Sequence, residues 1–296
     1  MKKEVTSISP RPRAQTFRLA LILLLAAIIS LTALIAPRAL ERVESVATTI
    51  PPPPTPSAAH RFKTLPPGAT LPSEAQCASR VRRSPWEPRP VNSAANHRVP
   101  TTRQIAGLVP WNEEMSLNPK ADSLRKQITG NFTGTTDEIL QWVACKWGID
   151  EDIVRAEAVV ESHWYQSQLG DPTNDQSLCP PGSGYPGAWD GSKCYQSYGI
   201  LQIKYIYNKS AWPMSRVDTA FSAEYMYGLI RVCYDGWATY LHQRLPLPGY
   251  PSYRAGDIWG CVGRWFSGNW YDQPALQYIS KVKTALANKA WRQPVF

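Results

Sequence analysis

Leu19 to Ala36 is a run of eighteen residues without a charged side chain, closed by Pro37 and Arg38. That length reaches the about 17–25 residues with which a helix spans a bilayer. Lys2, Lys3, Arg11, Arg13 and Arg18 precede it, against the single acid Glu4. Such a flank keeps the N-terminus in the cytoplasm and sends everything downstream outside. The run is a retained anchor or a signal peptide, with Leu34 and Ala36 forming a weak small-residue cleavage site. No cysteine near its end is available for lipid attachment. The rest of the chain is therefore expected to fold outside the cytoplasm, which governs how its cysteines are used.

All six cysteines, at 77, 145, 179, 194, 233 and 261, follow the apolar run. An even set in an exported chain is the pattern of up to three disulfides. Cys179 and Cys194 bracket a segment of turn formers, Pro180 to Lys193, and a local bridge between them is expected. Cys77, Cys145, Cys233 and Cys261 allow three pairings that the sequence does not rank. Zinc is not expected, because no CxxC pair exists and the four histidines are scattered. No cofactor is implied.

A net charge of +9 suggests a polyanionic partner, but its distribution argues against nucleic acid. Residues 1–129 hold 18 basic and 8 acidic side chains, whereas 130–296 hold 14 and 15. The excess lies on the lead-in, where an exported protein meets wall polymers or anionic lipid heads.

Residues 1–18 read as a basic cytoplasmic region and 19–36 as the anchor or signal peptide. Residues 37–76 read as a proline-rich linker, with Pro51 to Pro54 and Pro56 favouring extended, semi-rigid backbone. The stretch 77–129, with Trp86 and Trp111 among prolines, reads as an irregular arm lying along a domain, bridged to it through Cys77. A compact domain is expected over 130–296. Thr135 and Glu138 form a capping box for a helix ending at Trp147, with Gly148 beyond its end. Asp150 caps the next helix, whose broad apolar surface marks it as central. Helical periodicity recurs from Asp218 to Tyr234 and from Pro274 to Lys289. Short loops and the lack of a hairpin series predict a mainly α fold in one globular domain, expected to be a monomer.

The central helix carries Glu157 and Glu161 one turn apart in Ala156 to Trp164. A general acid must hold its proton near neutral pH, and apolar burial raises a carboxyl toward that range. Glu161, between Val159, Val160 and Trp164, has suitable neighbours. Glu157 is expected as a solvated or helix-capping carboxylate that acts on Glu161 only through its field. Downstream come Ser197 to Ile203 and Gly263 to Trp270, two aromatic and glycine-containing segments. Tyr198, Trp265 and Trp270 offer faces for sugars. Gln202 offers an amide donor and acceptor together. Gly199 and Gly268 let backbone approach a ligand closely. His163 is read as a structural or surface residue.

Over residues 135–289 these segments resemble the catalytic domain of the soluble lytic transglycosylases, in the lysozyme-like group of bacterial cell-wall enzymes. Glu161-Ser162 matches the family's Glu-Ser pair, whose Glu is the acid and base. Gly199-Ile200-Leu201-Gln202 matches its cleft segment, and Tyr278 to Val282 is similar to its closing helix. Its aromatic-Asn-Ala-Gly motif is present in altered form as Trp265-Phe266-Ser267-Gly268, with Phe266 where the family has Asn. The resemblance implies a lysozyme-like domain that cleaves the β-1,4 MurNAc-GlcNAc bond of peptidoglycan. Glu161 would be catalytic, and Ser162, Tyr198, Gly199, Gln202, Trp265, Phe266, Gly268 and Trp270 would contact substrate. The family mechanism yields 1,6-anhydro-muropeptides and uses no cofactor. The implied partners are glycan strands and, if residues 19–36 are retained, the cytoplasmic membrane. Two alternatives remain open. One is a hydrolase resembling goose-type lysozyme, with Asp171, Asp175 or Asp190 supplying the base. The other is a wall-binding or assembly protein without turnover.

Overall fold

The computed structural model describes residues 61–111, 118–181, 189, 191–293 and 296. The expected export segment, 1–18 and 19–36, the linker up to residue 60, and Asp190 lie outside the described residues. No helix among the described residues is long and apolar enough to cross a membrane.

The arm carries four short helices: α1 (Glu74–Arg80), α2 (Ser93–Asn96), α3 (Thr102–Ala106) and α4 (Pro119–Arg125). Ser73 and Thr101 open α1 and α3 with capping boxes completed by Gln76 and Gln104. Phe62, Cys77, Trp86, Leu108, Leu124 and Ile128 are buried in the same core as the long helices. Apolar burial, rather than helical periodicity, orders this stretch. Cys77 is bridged to Cys145, and Lys146 pairs with both Glu74 and the buried Glu224.

Helix α5 (Thr136–Trp147) starts at the capping box of Thr135 and Glu138 and stops at Gly148 in the left-handed conformation. Helix α6 (Glu151–Ser162) is capped by Asp150, whose carboxylate accepts from the amides of Asp152 and Ile153. Arg155 of α6 reaches Asp137 of α5 at 2.7 Å, an ion pair buried on both sides. After α6 the chain forms a three-stranded antiparallel sheet that the sequence reading did not foresee. Its strands are β1 (Leu169–Thr173), β2 (Cys194–Tyr198) and β3 (Ile203–Lys204), in that order. Leu169 faces Tyr198, and Tyr198 in turn faces Ile203. The expected Cys179–Cys194 bridge is present and ties the β1–β2 connection to the start of β2.

Helices α7 (Met214–Val217), α8 (Thr219–Tyr234), α9 (Ile258–Ser267) and α10 (Gln273–Ala287) complete the mainly α fold. Every residue of α8 is buried, so it forms the centre, packed against α5 and α9. Helix α10 packs on both α6 and α9. Gly263 permits the second contact: a Cβ there would lie 2.8 Å from Ile279 and 2.9 Å from Ala275. The third bridge, Cys233–Cys261, joins α8 to α9.

The arm also secures the end of α6, where carbonyls lack partners within the helix. Arg89 donates to the carbonyl of His163 at 2.7 Å. The Asn92 amide donates to the carbonyl of Trp164 at 2.7 Å and accepts from the amide of Gln166 at 2.9 Å.

The Cys77–Cys145 bridge closes a loop of 68 residues. Replacing both with serine should lower the unfolding free energy by about 4 kcal/mol. Urea denaturation at neutral pH checks this; an unchanged midpoint would show that packing alone holds the arm. Peptide mapping without reduction should recover all three pairs.

Candidate active site

Glu161 sits in the last turn of α6, half-buried, at the wall of a cleft of about 1020 Å³. Two donors from different helices meet its carboxyl. Trp265 Nε1 of α9 donates to Oε1 at 3.1 Å, and the Tyr278 hydroxyl of α10 makes a short bond to the same oxygen. In the neutral acid, Oε1, which accepts from both donors, is the carbonyl oxygen, and Oε2 is left to carry the proton. Burial raises Glu161 most, the two donors act against it, and the charge of Asp171 adds to the rise. The result is about 7.

Glu157 is expected from the sequence as a solvated or helix-capping carboxylate, and the structure buries it instead. It is fully buried, with α10 packed on α6 and Tyr227 of α8 reaching it. The Tyr227 hydroxyl donates to its Oε2 at 2.5 Å, and the Tyr278 hydroxyl lies 3.4 Å from its Oε1. Burial pushes it up to about 8.

Asp171, in β1, lines the same cleft in an opposite electrostatic state. Burial acts to raise it, but the Ser197 hydroxyl at 2.7 Å and the Lys204 ammonium at 3.1 Å hold it below the usual carboxylate range. Asp171 has φ +52 and Gln202 has φ +49, so two non-glycine residues at the cleft adopt the left-handed conformation. Backbone of this kind gathers at functional sites, where packing enforces it.

The cleft brings Glu161, Gln202, Trp265, Phe266 and Gly268 together at its wall. Gln202 is held by its own amide, which donates to the carbonyl of Gly199 at 2.9 Å. Phe266 is 56% exposed and stacks on the Tyr278 ring at 4.9 Å, so it shields the phenol bonded to Glu161. Four expected contacts are not at the wall. The Ser162 hydroxyl is buried and donates to the carbonyl of Ile200 at 2.8 Å, linking α6 to the β2–β3 turn. Tyr198 is buried against Trp212. Trp270 is buried and donates to the carbonyl of Pro251 at 2.9 Å. Gly199, at φ +82, makes the β2–β3 turn, where a Cβ would meet the Ser215 carbonyl at 2.2 Å.

Asp171 is one of the three aspartates expected as a base in the hydrolase alternative, and it lines the cleft from β1. Tyr278, Lys204, Arg244 and Arg264 are not foreseen by the sequence; the last three line the cleft from β3, the segment after α8, and α9. No local spacing marks residues that converge from separate elements. A phenol in the closing helix was the one available signal for Tyr278. Among the described residues, no group of three or more His, Cys, Asp or Glu is placed to hold a metal. No family model, curated protein or solved structure matches this chain.

A carboxyl raised in the folded state binds its proton more tightly there than in the unfolded chain. The stabilisation from Glu161 is therefore complete below about pH 4.5 and is lost as pH rises through about 7. Across that window, unfolding free energy should fall more steeply in wild type than in Glu161→Gln. Parallel slopes would contradict the raised value. Gly199→Ala should destabilise by about 1–3 kcal/mol or more, since strain and a backbone clash coincide; calorimetry reads it as a lowered Tm.

Proposed function

We propose that this chain is an exported enzyme that cleaves the glycan of peptidoglycan, with Glu161 as general acid and base. The observation that carries this reading is the state of Glu161: a carboxyl near 7 at a cleft wall, its Oε1 held by two donors and Oε2 left for the substrate. Protonation of the bridging oxygen by Oε2 leaves a carboxylate whose charge develops on an oxygen already bonded to Trp265 and Tyr278. Donors placed before the charge appears are the economical way to stabilise it.

The resemblance of Glu161-Ser162 and Gly199 to Gln202 to the soluble lytic transglycosylases makes a lysozyme-like domain and a transglycosylase outcome the preferred form. In that mechanism the N-acetyl group assists at the anomeric carbon. Ionised Glu161 then takes the proton of the muramyl 6-hydroxyl, which closes the 1,6-anhydro ring and releases no reducing end. The cleft suits a polymer: its volume is that of a large ligand site, and Trp111, Tyr207, Trp265 and Phe266 give it aromatic faces. Arg244 and Arg264 add positive charge, fitting a glycan whose peptides carry carboxylates. Export is supported by the three disulfides and by the run from Leu19 to Ala36.

A second reading rests on Asp171. It shares the cleft with Glu161 and is held low while Glu161 is held high, the division of roles between base or nucleophile and acid in a hydrolase.

Purified protein incubated with peptidoglycan separates these readings by the mass of what it releases. Anhydro ends are expected, with the rate falling as pH rises through about 7, because the first step needs protonated Glu161. Glu161→Gln should lower release by about 10²–10⁴-fold while still sedimenting with the wall. Asp171→Asn should keep substantial activity; its failure together with reducing ends in the wild-type products would establish the hydrolase. Wild-type protein that sediments with the wall but releases nothing would show a binding protein.

A further inference from the structure

Glu157 has no part in the chemistry above, yet it is the most costly group in the core to leave unexplained. The groups that act on it are Glu161 on its own helix, Tyr227 from α8 and Tyr278 from α10, and none is a cation. A buried carboxylate without a cation neutralises instead. The hydrogen count leads to the same state. Burial raises both phenols well above their ordinary range, so each keeps its one proton. The Tyr227 hydroxyl donates to Glu157 Oε2, and the Tyr278 hydroxyl makes its short bond to Glu161 Oε1. The remaining contact, Tyr278 Oη to Glu157 Oε1 at 3.4 Å, is only the long arm of a shared phenol hydrogen if Glu157 is ionised. It gains a hydrogen of its own if Glu157 Oε1 bears one and donates to the phenol oxygen.

We propose that Glu157 is a positioning residue that stays protonated at neutral pH and whose carboxylic O–H donates to Tyr278. Tyr227, Glu157, Tyr278 and Glu161 then form one hydrogen-bonded chain in which every donor points toward Glu161. Such chains polarise their members, so donation to Tyr278 strengthens the bond that Tyr278 makes to Glu161. The effect is greatest when Glu161 is ionised, after its proton has left for the substrate. No proton crosses the chain: Glu157 keeps its hydrogen on Oε1 throughout, and only Oε2 of Glu161 exchanges.

The catalytic consequence rests on the reading of Glu161 as acid and base; the protonation state does not. Infrared difference spectra of the folded protein at pH 7 address the state directly. The carbonyl absorption of neutral carboxylic acids should be weaker by one group in Glu157→Gln than in wild type, and weaker by one group in the Glu157→Gln/Glu161→Gln double variant than in Glu161→Gln. An absorption left unchanged by Glu157→Gln in either background overturns the proposal whether or not the protein cleaves glycan. The amide of Glu157→Gln reproduces both hydrogen bonds of the neutral acid, so a variant that loses its fold also counts against it.

Kinetics test the consequence. Glu157→Gln should retain the wild-type pH profile. If Glu157 were ionised, removing its charge would move the Glu161 limb to lower pH, which would overturn the proposal. Glu157→Leu removes the donor, so kcat should fall on the order of tenfold with the limb moved to higher pH. An unmoved limb in Glu157→Leu would leave Glu157 as packing alone and sink the positioning role. Wild-type protein that releases nothing would refute the proposed function while the infrared band still decided the state of Glu157.

Discussion

Two carboxyl groups one turn apart on a helix whose residues are almost all buried impose the constraint that shapes this molecule. Glu157 and Glu161 cannot both be charged and buried side by side without a cation, and none is supplied. The fold meets the constraint with hydroxyl and indole donors brought from three other helices. Tyr227 comes from α8, Tyr278 from α10 and Trp265 from α9. Helix α10 packs directly on α6, whereas α8 and α9 reach its carboxyls through the long side chains of Tyr227 and Trp265. Gly263 lets α9 settle on α10 so that Trp265 and Tyr278 reach one oxygen. The Cys233–Cys261 bridge fixes α9 to the central helix.

The opposite wall of the cleft obeys a different logic. There Asp171 remains ionised because a hydroxyl and an ammonium offset its partial burial. The small sheet exists to present this group: β1 carries Asp171, β2 carries Ser197, and β3 carries Lys204. Ser162 ties that sheet to the helix of Glu161 through the carbonyl of Ile200. One cleft thus holds a carboxyl kept neutral by a dry wall and another kept charged by a wet one.

What was legible in the sequence was mostly local. The start and stop of α5 and the cap of α6 depend on Thr135, Glu138, Gly148 and Asp150, whose chemistry acts within one turn. The Cys179–Cys194 bridge was legible because only turn formers separate its ends. The sheet was not: Leu169 to Thr173 contains Gly170 and Pro172, residues that weaken a strand by propensity, and its pairing comes from tertiary contact. The burial of Glu157 was hidden for a related reason. Helical spacing shows that it shares a face with Glu161, but not that α10 packs over that face or that Tyr227 of α8 reaches it. Ser162 and Tyr198 matched a motif by identity, while their side chains serve the structure beneath the cleft.

The attachment of the arm to the end of α6 carries a consequence for how the chain comes to exist. Asn92 finds its partners 72 and 74 residues later, and Arg89 bonds the carbonyl of Phe296, 207 residues away. A chain that emerges N-terminus first must therefore expose Trp86 and the Cys77 thiol while everything that will cover them is still being synthesised. Contacts of such long sequence separation form slowly and leave apolar surface open to aggregation in the interval.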